Sequence, residues 1–170
     1  MGLRPGRTVR KLERPWTRVS SRVPKKSYVV GVPFSKIHQF EMGTRTGVYD
    51  TTLYLLTKDA VQIRHNAMEA ARIVAVKFLE LNLGANFFFK ILKFPHHVLR
   101  EKPIATGAGA DRYSQGMRQA FGKPTGTAVQ TKKDMRLAMV KVSKDKTDIA
   151  KIALRKFGLK ISSPSRIVIE

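Results

Sequence analysis

The sequence predicts an α+β fold, with two main helices layered on a mostly antiparallel sheet. Strand-like runs arrive in groups rather than one per helix, two segments carry an apolar period of three to four residues, and the connections are short apart from one. The βαβα alternation of a doubly wound sheet is absent, as is its Gly-rich turn after the first strand, and no internal repeat is visible.

The folded part is expected at residues 28–170, as a single domain, with an arm over residues 1–27. Residues 28–32 and 36–42 read as short strands around Pro33, and Thr51–Thr57 as a third, rich in β-branched and aromatic types. A helix follows, on which Ile63, Ala67, Ala70, Ala71, Val74, Phe78 and Leu81 form one apolar stripe and Gly84 supplies the stop. Residues 86–94 are dense in Phe and Ile, which predicts a buried strand ended by Pro95, and His97–Glu101 reads as another. Residues 127–132 and 136–142 are expected to form a hairpin across Lys133 and Asp134. A second helix spans 146–157, buried through Ile149, Ile152, Ala153 and Phe157, capped by Asp145, favoured at its positive end by Asp148 and closed by Gly158. Residues 166–169 add a terminal strand.

The exception among the connections is the stretch 102–126, whose part from Gly107 to Gly126 has neither helical nor strand period. Loops of this length inside a folded unit bind something or are disordered. Gly107, Gly109, Gly116, Gly122 and Gly126 permit close backbone approach, and Arg112, Arg118 and Lys123 interleave with Tyr113 and Phe121. Cations alternating with aromatics point to nucleic acid.

Charge points the same way. Lys and Arg number 33 against 12 Asp and Glu, a formal net charge of +21. Self-repulsion of that size disfavours a compact state unless a polyanion relieves it, so a nucleic-acid partner is expected. The arm concentrates the effect in Arg4, Arg7, Arg10, Lys11, Arg14, Arg18, Arg22, Lys25 and Lys26, opposed only by Glu13. Pro5, Pro15 and Pro24 break any helix there, so the arm is expected to be extended and ordered by its partner. Trp16 is suited either to stacking on RNA or to docking on the protein's own core.

Several chemistries find no support. There is no cysteine, hence no disulfide, thiol catalysis or Cys-ligated zinc. Adjacent His96 and His97 would point to opposite faces of a strand, and His38 and His65 have no ligand-spaced partner, so no metal or other cofactor is expected. Gly122, Lys123 and Thr125 fail as a P-loop because Pro124 intervenes and the upstream glycine falls at 116 instead of 117. Asp111, the sole acid between Gly107 and Gly126, is expected to fix loop shape beside Arg112. Neither a signal peptide nor a run of about 18 apolar residues is present, so a cytoplasmic protein with no membrane partner is expected.

Six motifs occur in order: Gly31-Val32-Pro33 with Lys36-Ile37; Glu69-Ala70-Ala71-Arg72-Ile73; Phe94-Pro95-His96-His97-Val98-Leu99-Arg100; Gly107-Ala108-Gly109-Ala110-Asp111-Arg112; Gln115-Gly116-Met117-Arg118; and Phe121-Gly122-Lys123-Pro124. Together they closely resemble the archaeal large-subunit ribosomal proteins called L-ten-e, of the universal L-sixteen family, across nearly the whole chain. The resemblance implies a hammerhead-type α+β fold seated on ribosomal RNA beside the aminoacyl-tRNA site, with neighbouring ribosomal proteins and tRNA as partners and no homo-oligomer. It also implies that residues 108–123 are the loop that reaches towards the peptidyl-transferase region, with Arg112, Arg118 and Lys123 as phosphate contacts. The absence of cysteine and the end at Glu170 depart from eukaryotic members and favour an archaeal source. The leading reading is therefore a non-catalytic constituent of the ribosome in translation. An RNA-modifying or nucleotide-hydrolysing enzyme and a free DNA-binding or RNA-chaperone module stand as the alternatives.

Overall fold

A computed structural model describes Val23 and residues 29–170. The expected RNA contacts of the arm, Arg4, Arg7, Arg10, Lys11, Arg14, Trp16, Arg18, Arg22, Lys25 and Lys26, lie outside the described residues. The fold is α+β with eight strands and two α-helices among the described residues, and every strand pairing is antiparallel.

The strands are β1 (Glu41–Gly43), β2 (Thr51–Thr57), β3 (Gln62–Arg64), β4 (Phe88–Ile91), β5 (His97–Glu101), β6 (Lys123–Gln130), β7 (Arg136–Val142) and β8 (Ser165–Ile169). Helix α1 (His65–Leu83) lies between β3 and β4, and α2 (Thr147–Gly158) between β7 and β8. Two sheets result. The larger has the order β1-β4-β7-β2-β8, the smaller β3-β6-β5.

The expected hairpin of 127–132 with 136–142 does not form, because β6 and β7 lie in different sheets. β2 pairs with β7 and β3 with β6, so β2–β3 and β6–β7 are two long bent strands running side by side. At the bend Thr131 N donates to Val61 O at 2.8 Å, and the Thr131 hydroxyl donates to the same oxygen at 2.9 Å. Thr57 Oγ1 donates to Lys132 O at 2.9 Å, and Asp134, at φ 59°, donates its N–H to Thr57 O at 2.8 Å. These bonds satisfy backbone groups that a simple kink would leave buried and unpaired. β4–β5 makes the same crossing through Leu92 to His96, with β4 on β7 and β5 on β6.

Other expectations shift. Residues 29–32 form no strand, and 36–42 shrinks to Glu41–Gly43, paired with β4, beside which Phe40 O accepts from Ile91 N at 2.8 Å. Gly31 sits at φ 70°, outside the strand region. The expected strand 86–94 narrows to Phe88–Ile91, although Phe87 is also buried.

The first helix starts at His65, since Ile63 pairs with Val129 in β3. Its buried face overlaps the expected stripe at Ala71, with Ala67 and Phe78 half-buried against the core, but is centred one position further round. Met68, Ala71, Ala75, Val76, Leu79 and Leu83 point inward, whereas Leu81 is 76% exposed and Ala70 faces solvent. Gly84 ends the helix as expected, at φ 59°, its N–H donating to Glu80 O. On α2, Ala150, Ala153, Leu154 and Phe157 are buried, and Ile152 is 40% exposed. Asp145 caps nothing: it sits in a 3-10 turn, Lys144–Lys146, ahead of the helix, while Asp148 pairs with Lys151 at 2.8 Å. Gly158 is the last helical residue, and a Cβ there would stand 2.6 Å from Ser165 Oγ of β8.

α1 packs on α2 and against β3 and β6, while α2 lies on β2, β7 and β8. The core gathers Leu53, Leu55, Phe89, Ile91, Leu137, Val140 and Val142 from the large sheet with the helix faces above. Each large side chain so buried contributes about 1.5–3 kcal/mol relative to exposure.

Candidate nucleic-acid interface

β5 and β6 run antiparallel from His97↔Ala128 to Glu101↔Lys123, with an irregularity after Leu99, and the central loop is the excursion between them. β6 begins at Lys123, so Lys123 and Gly126 belong to the strand and not to the structureless part of the loop. The sequence loses its alternation there because Pro124 and Gly126 interrupt it, yet the pairing with β5 holds.

The neck of the loop is tightly made. A Cβ on Gly122 would stand 2.6 Å from the carbonyl carbon of Glu101 and 2.8 Å from its oxygen, so only glycine lets the two strands close there. The Arg100 guanidinium lies 4.1 Å from the Phe121 ring centroid, a cation–π contact across the neck. Lys102 Nζ donates to the carbonyl oxygens of Arg118 and Gln119, the latter at 2.8 Å. Ala105 N donates to Ser114 Oγ at 3.2 Å. Lys102 and Ser114 were not singled out from sequence, and Arg100 entered only as the end of a family motif. The signal that existed was the pair of cations at the very start of the loop, facing the carbonyl-rich return of its end.

Beyond the neck the loop buries almost nothing. Ala110–Arg112 form one 3-10 turn entered through Gly109 at φ 74°, and Arg112 N donates to Gly109 O at 3.1 Å. Tyr113 is 86% and Met117 66% exposed, and Asp111, Arg112, Gln115 and Arg118 face solvent as well. Gly107 and Gly116 have open space where a Cβ would be. Asp111 is exposed within the turn, and no bond to Arg112 is seen.

Charge is distributed unequally. On the body, acids hold cations: Glu69 takes Arg72 at 2.5 Å, Glu41 takes Lys90 at 2.5 Å, Asp134 takes Arg166 at 3.1 Å, and Glu170 takes Arg136. Lys90 and Arg45 hold the Glu41 carboxyl below its ordinary pKa, as Lys151 does for Asp148. Arg112, Arg118 and Lys123 make no ion pair among the described residues. Their charge is left for an outside anion, and exposed glycine backbone beside them lets phosphate oxygens approach amides.

Behind the neck stands His65, buried at the start of α1, with Nδ1 3.0 Å from Thr127 Oγ1 of β6. Burial, with Lys36 and Arg64 nearby, pushes its pKa below the ordinary histidine value. Gly126 leaves room for this ring, since a Cβ there would lie 3.3 Å from His65 Cε1. His97 is buried in β5 and His96 exposed, on opposite sides of the strand. Among the described residues no group of three His, Asp or Glu could hold a metal ion, and no helix is long and apolar enough to cross a membrane.

Comparison with known proteins fits this arrangement. The model of the family described as ribosomal protein L16p/L10e matches residues 17–168. The chain is 45% identical over 171 residues to the large ribosomal subunit protein uL16 of Archaeoglobus fulgidus, covering all of this chain and 94% of that one. It is 46% identical to its counterpart in Staphylothermus marinus, over 99% and 94% of the two chains, and 48% identical to that of Methanoculleus marisnigri, over 86% of each.

Proposed function

The chain belongs to the L16p/L10e family of ribosomal proteins, and from that premise we propose that it binds the ribosomal RNA of the large subunit and helps order the aminoacyl-tRNA site. As a ribosomal protein it is a structural constituent, not an enzyme. In this reading the body and the basic arm anchor the protein on RNA, and the loop serves tRNA near the peptidyl-transferase region.

One observation carries the assignment of the loop: a neck fixed by Gly122, Arg100–Phe121 and Lys102 holds up a tip that buries nothing of its own. A segment that adds no core and yet has a built base is there for what its tip touches. The tip presents Arg112 and Arg118 in no ion pair, with Asp111 as its one acid, which suits a polyanion.

The experiment replaces residues 107–117 with a short glycine linker and Arg118 with alanine, keeping the Gly122, Arg100–Phe121 and Lys102 contacts, and reconstitutes large subunits with the product. Shortening a loop changes its closure cost by only about 0.6 kcal/mol per halving. The expected outcome is normal incorporation with impaired tRNA accommodation or peptide-bond formation. Normal tRNA handling at full occupancy would reject a role for the tip, and failure to incorporate would make it an assembly anchor instead. For the arm, neutralising several of its arginines should lower rRNA affinity and flatten the salt dependence by about one unit of slope for each phosphate left without its cation.

A further inference from the structure

The bend between the sheets opens a cleft. β4–β5 and β6–β7 leave one sheet and enter the other at Leu92 to His96 and at Gln130 to Met135, and where they part a cavity of about 420 Å³ remains. Leu92, Val129 and Met135 give it apolar walls, and Lys93, Phe94 and His96 stand with them. The Phe94 ring is half exposed, stacks on Phe40 with centroids 5.5 Å apart, and meets His96 at 4.7 Å. Gln130 also lines the cleft, and its Nε2 is buried with no hydrogen-bond partner.

We propose that this cleft receives one unstacked base of ribosomal RNA. The proposal rests on the rRNA-binding reading above and adds to it a single-nucleotide site, separate from the loop. A planar base fills an apolar slot while its rim ring stacks on an aromatic neighbour, as single-stranded RNA is commonly held. Turned towards the cleft, the Gln130 amide would meet on a base edge the carbonyl or ring-nitrogen acceptor that it lacks; a buried amide left without one costs about as much as a lost hydrogen bond. Lys93 supplies a cation for the phosphate of the extruded nucleotide. An aliphatic side chain from another protein would fill the slot but leave Nε2 unsatisfied. The chain's own basic arm would bring further positive charge to a cationic rim.

The test uses large subunits reconstituted with the full-length protein as wild type, Phe94→Ala, Gln130→Leu or the loop-tip replacement, with every rRNA base then probed chemically. Phe94 is half exposed and Gln130→Leu nearly preserves shape, so neither change is expected to unfold the chain, which a melting curve on each variant checks. The expected result is one base, protected with wild type and with the tip replacement, that becomes severalfold more reactive in both cleft variants. Affinity of the isolated Phe94→Ala protein for rRNA should fall roughly 5- to 150-fold, the range for losing one base–aromatic stack. An unchanged protection pattern in both variants at full occupancy overturns the proposal. So does a photo-crosslink from position 135 that recovers only protein, whether the arm or a neighbour. If wild type itself protects no rRNA base, the rRNA reading falls, and the cleft site with it.

Discussion

The two sheets are stabilised by different chemistry. The five-stranded sheet is sealed by side chains that carry no polar atom: Leu53, Leu55, Phe89, Leu137, Val140 and Val142, all within 1% of full burial. The three-stranded sheet and its edge hold most of the buried polar groups instead, among them Gln62, His65, His97, Thr127 and Thr131. Apolar packing is strong but tolerant in direction, whereas a buried hydrogen bond fixes distance and angle. The difference therefore divides labour: the large sheet supplies stability, and the small one fixes the loop neck in place. Substitutions in the first should act through folding, and those in the second through geometry as well.

The largest effect is expected in the large-sheet core. Phe157 is fully buried with its ring 5.9 Å from Phe89, so Phe157→Ala should cost about 3–5 kcal/mol by urea unfolding. A cost near zero would mean that the core repacks freely and that the division is wrong. At the bend, Thr131→Val deletes the hydroxyl that donates to Val61 O and accepts from Val61 N at 3.2 Å. Stranding that N–H should cost about 1–3 kcal/mol, and a neutral result would show that water replaces the hydroxyl.

Gly122→Ala should cost about 1–3 kcal/mol of overpacking, because its Cβ would meet the backbone of Glu101, which cannot swing aside as a side chain can. Its sharper consequence is functional: subunits carrying it should handle tRNA poorly while incorporating normally. Equal tRNA activity would show that the neck does not set the position of the tip.

His65 adds a pH dependence. Its pKa is depressed in the folded chain, so as pH falls through about 6.5 the unfolded chain takes up the proton first. The stability that neutral His65 contributes is fully present above that value and is lost as pH drops towards the folded-state pKa. Between pH 7.5 and 5.5, His65→Gln should show a shallower loss of urea midpoint than wild type; parallel slopes would remove His65 from the account. The smallest effect belongs to the surface of the large sheet. Glu41→Gln breaks pairs with Lys90 and Arg45, both partly solvated, and its urea midpoint should coincide with wild type.

Much of this was legible in the residues. Gly84 stops α1 because the left-handed backbone it adopts is costly for other types. β2, β5, β7 and β8 emerge close to where their β-branched and aromatic content puts them. The loop declared itself by glycine and cation content, and family motifs tied it to the ribosome. Less legible was the neck: Arg100 meets Phe121, and Lys102 the carbonyls of Arg118 and Gln119, only because β5 and β6 pair, and no local spacing encodes that.

By itself, then, the sequence determined where the two helices and the strands β2, β5, β7 and β8 lie, that the chain carries a large excess of cations, and that most of one long loop stays out of the core. Those properties depend on side chains near in sequence or on their sum. Tertiary structure alone decided which face of α1 turns inward, because Ala67, Val74 and Phe78 on one stripe and Met68, Ala75 and Leu79 on the next are both apolar, and only α2, β3 and β6 select between them. It also decided that residues 127–142 bend instead of turning back. Strand partners are chosen by contacts remote in sequence, and here Thr57 and Val61 hold the segment at 131–135 by hydrogen bonds, so that β6 and β7 run on into different sheets.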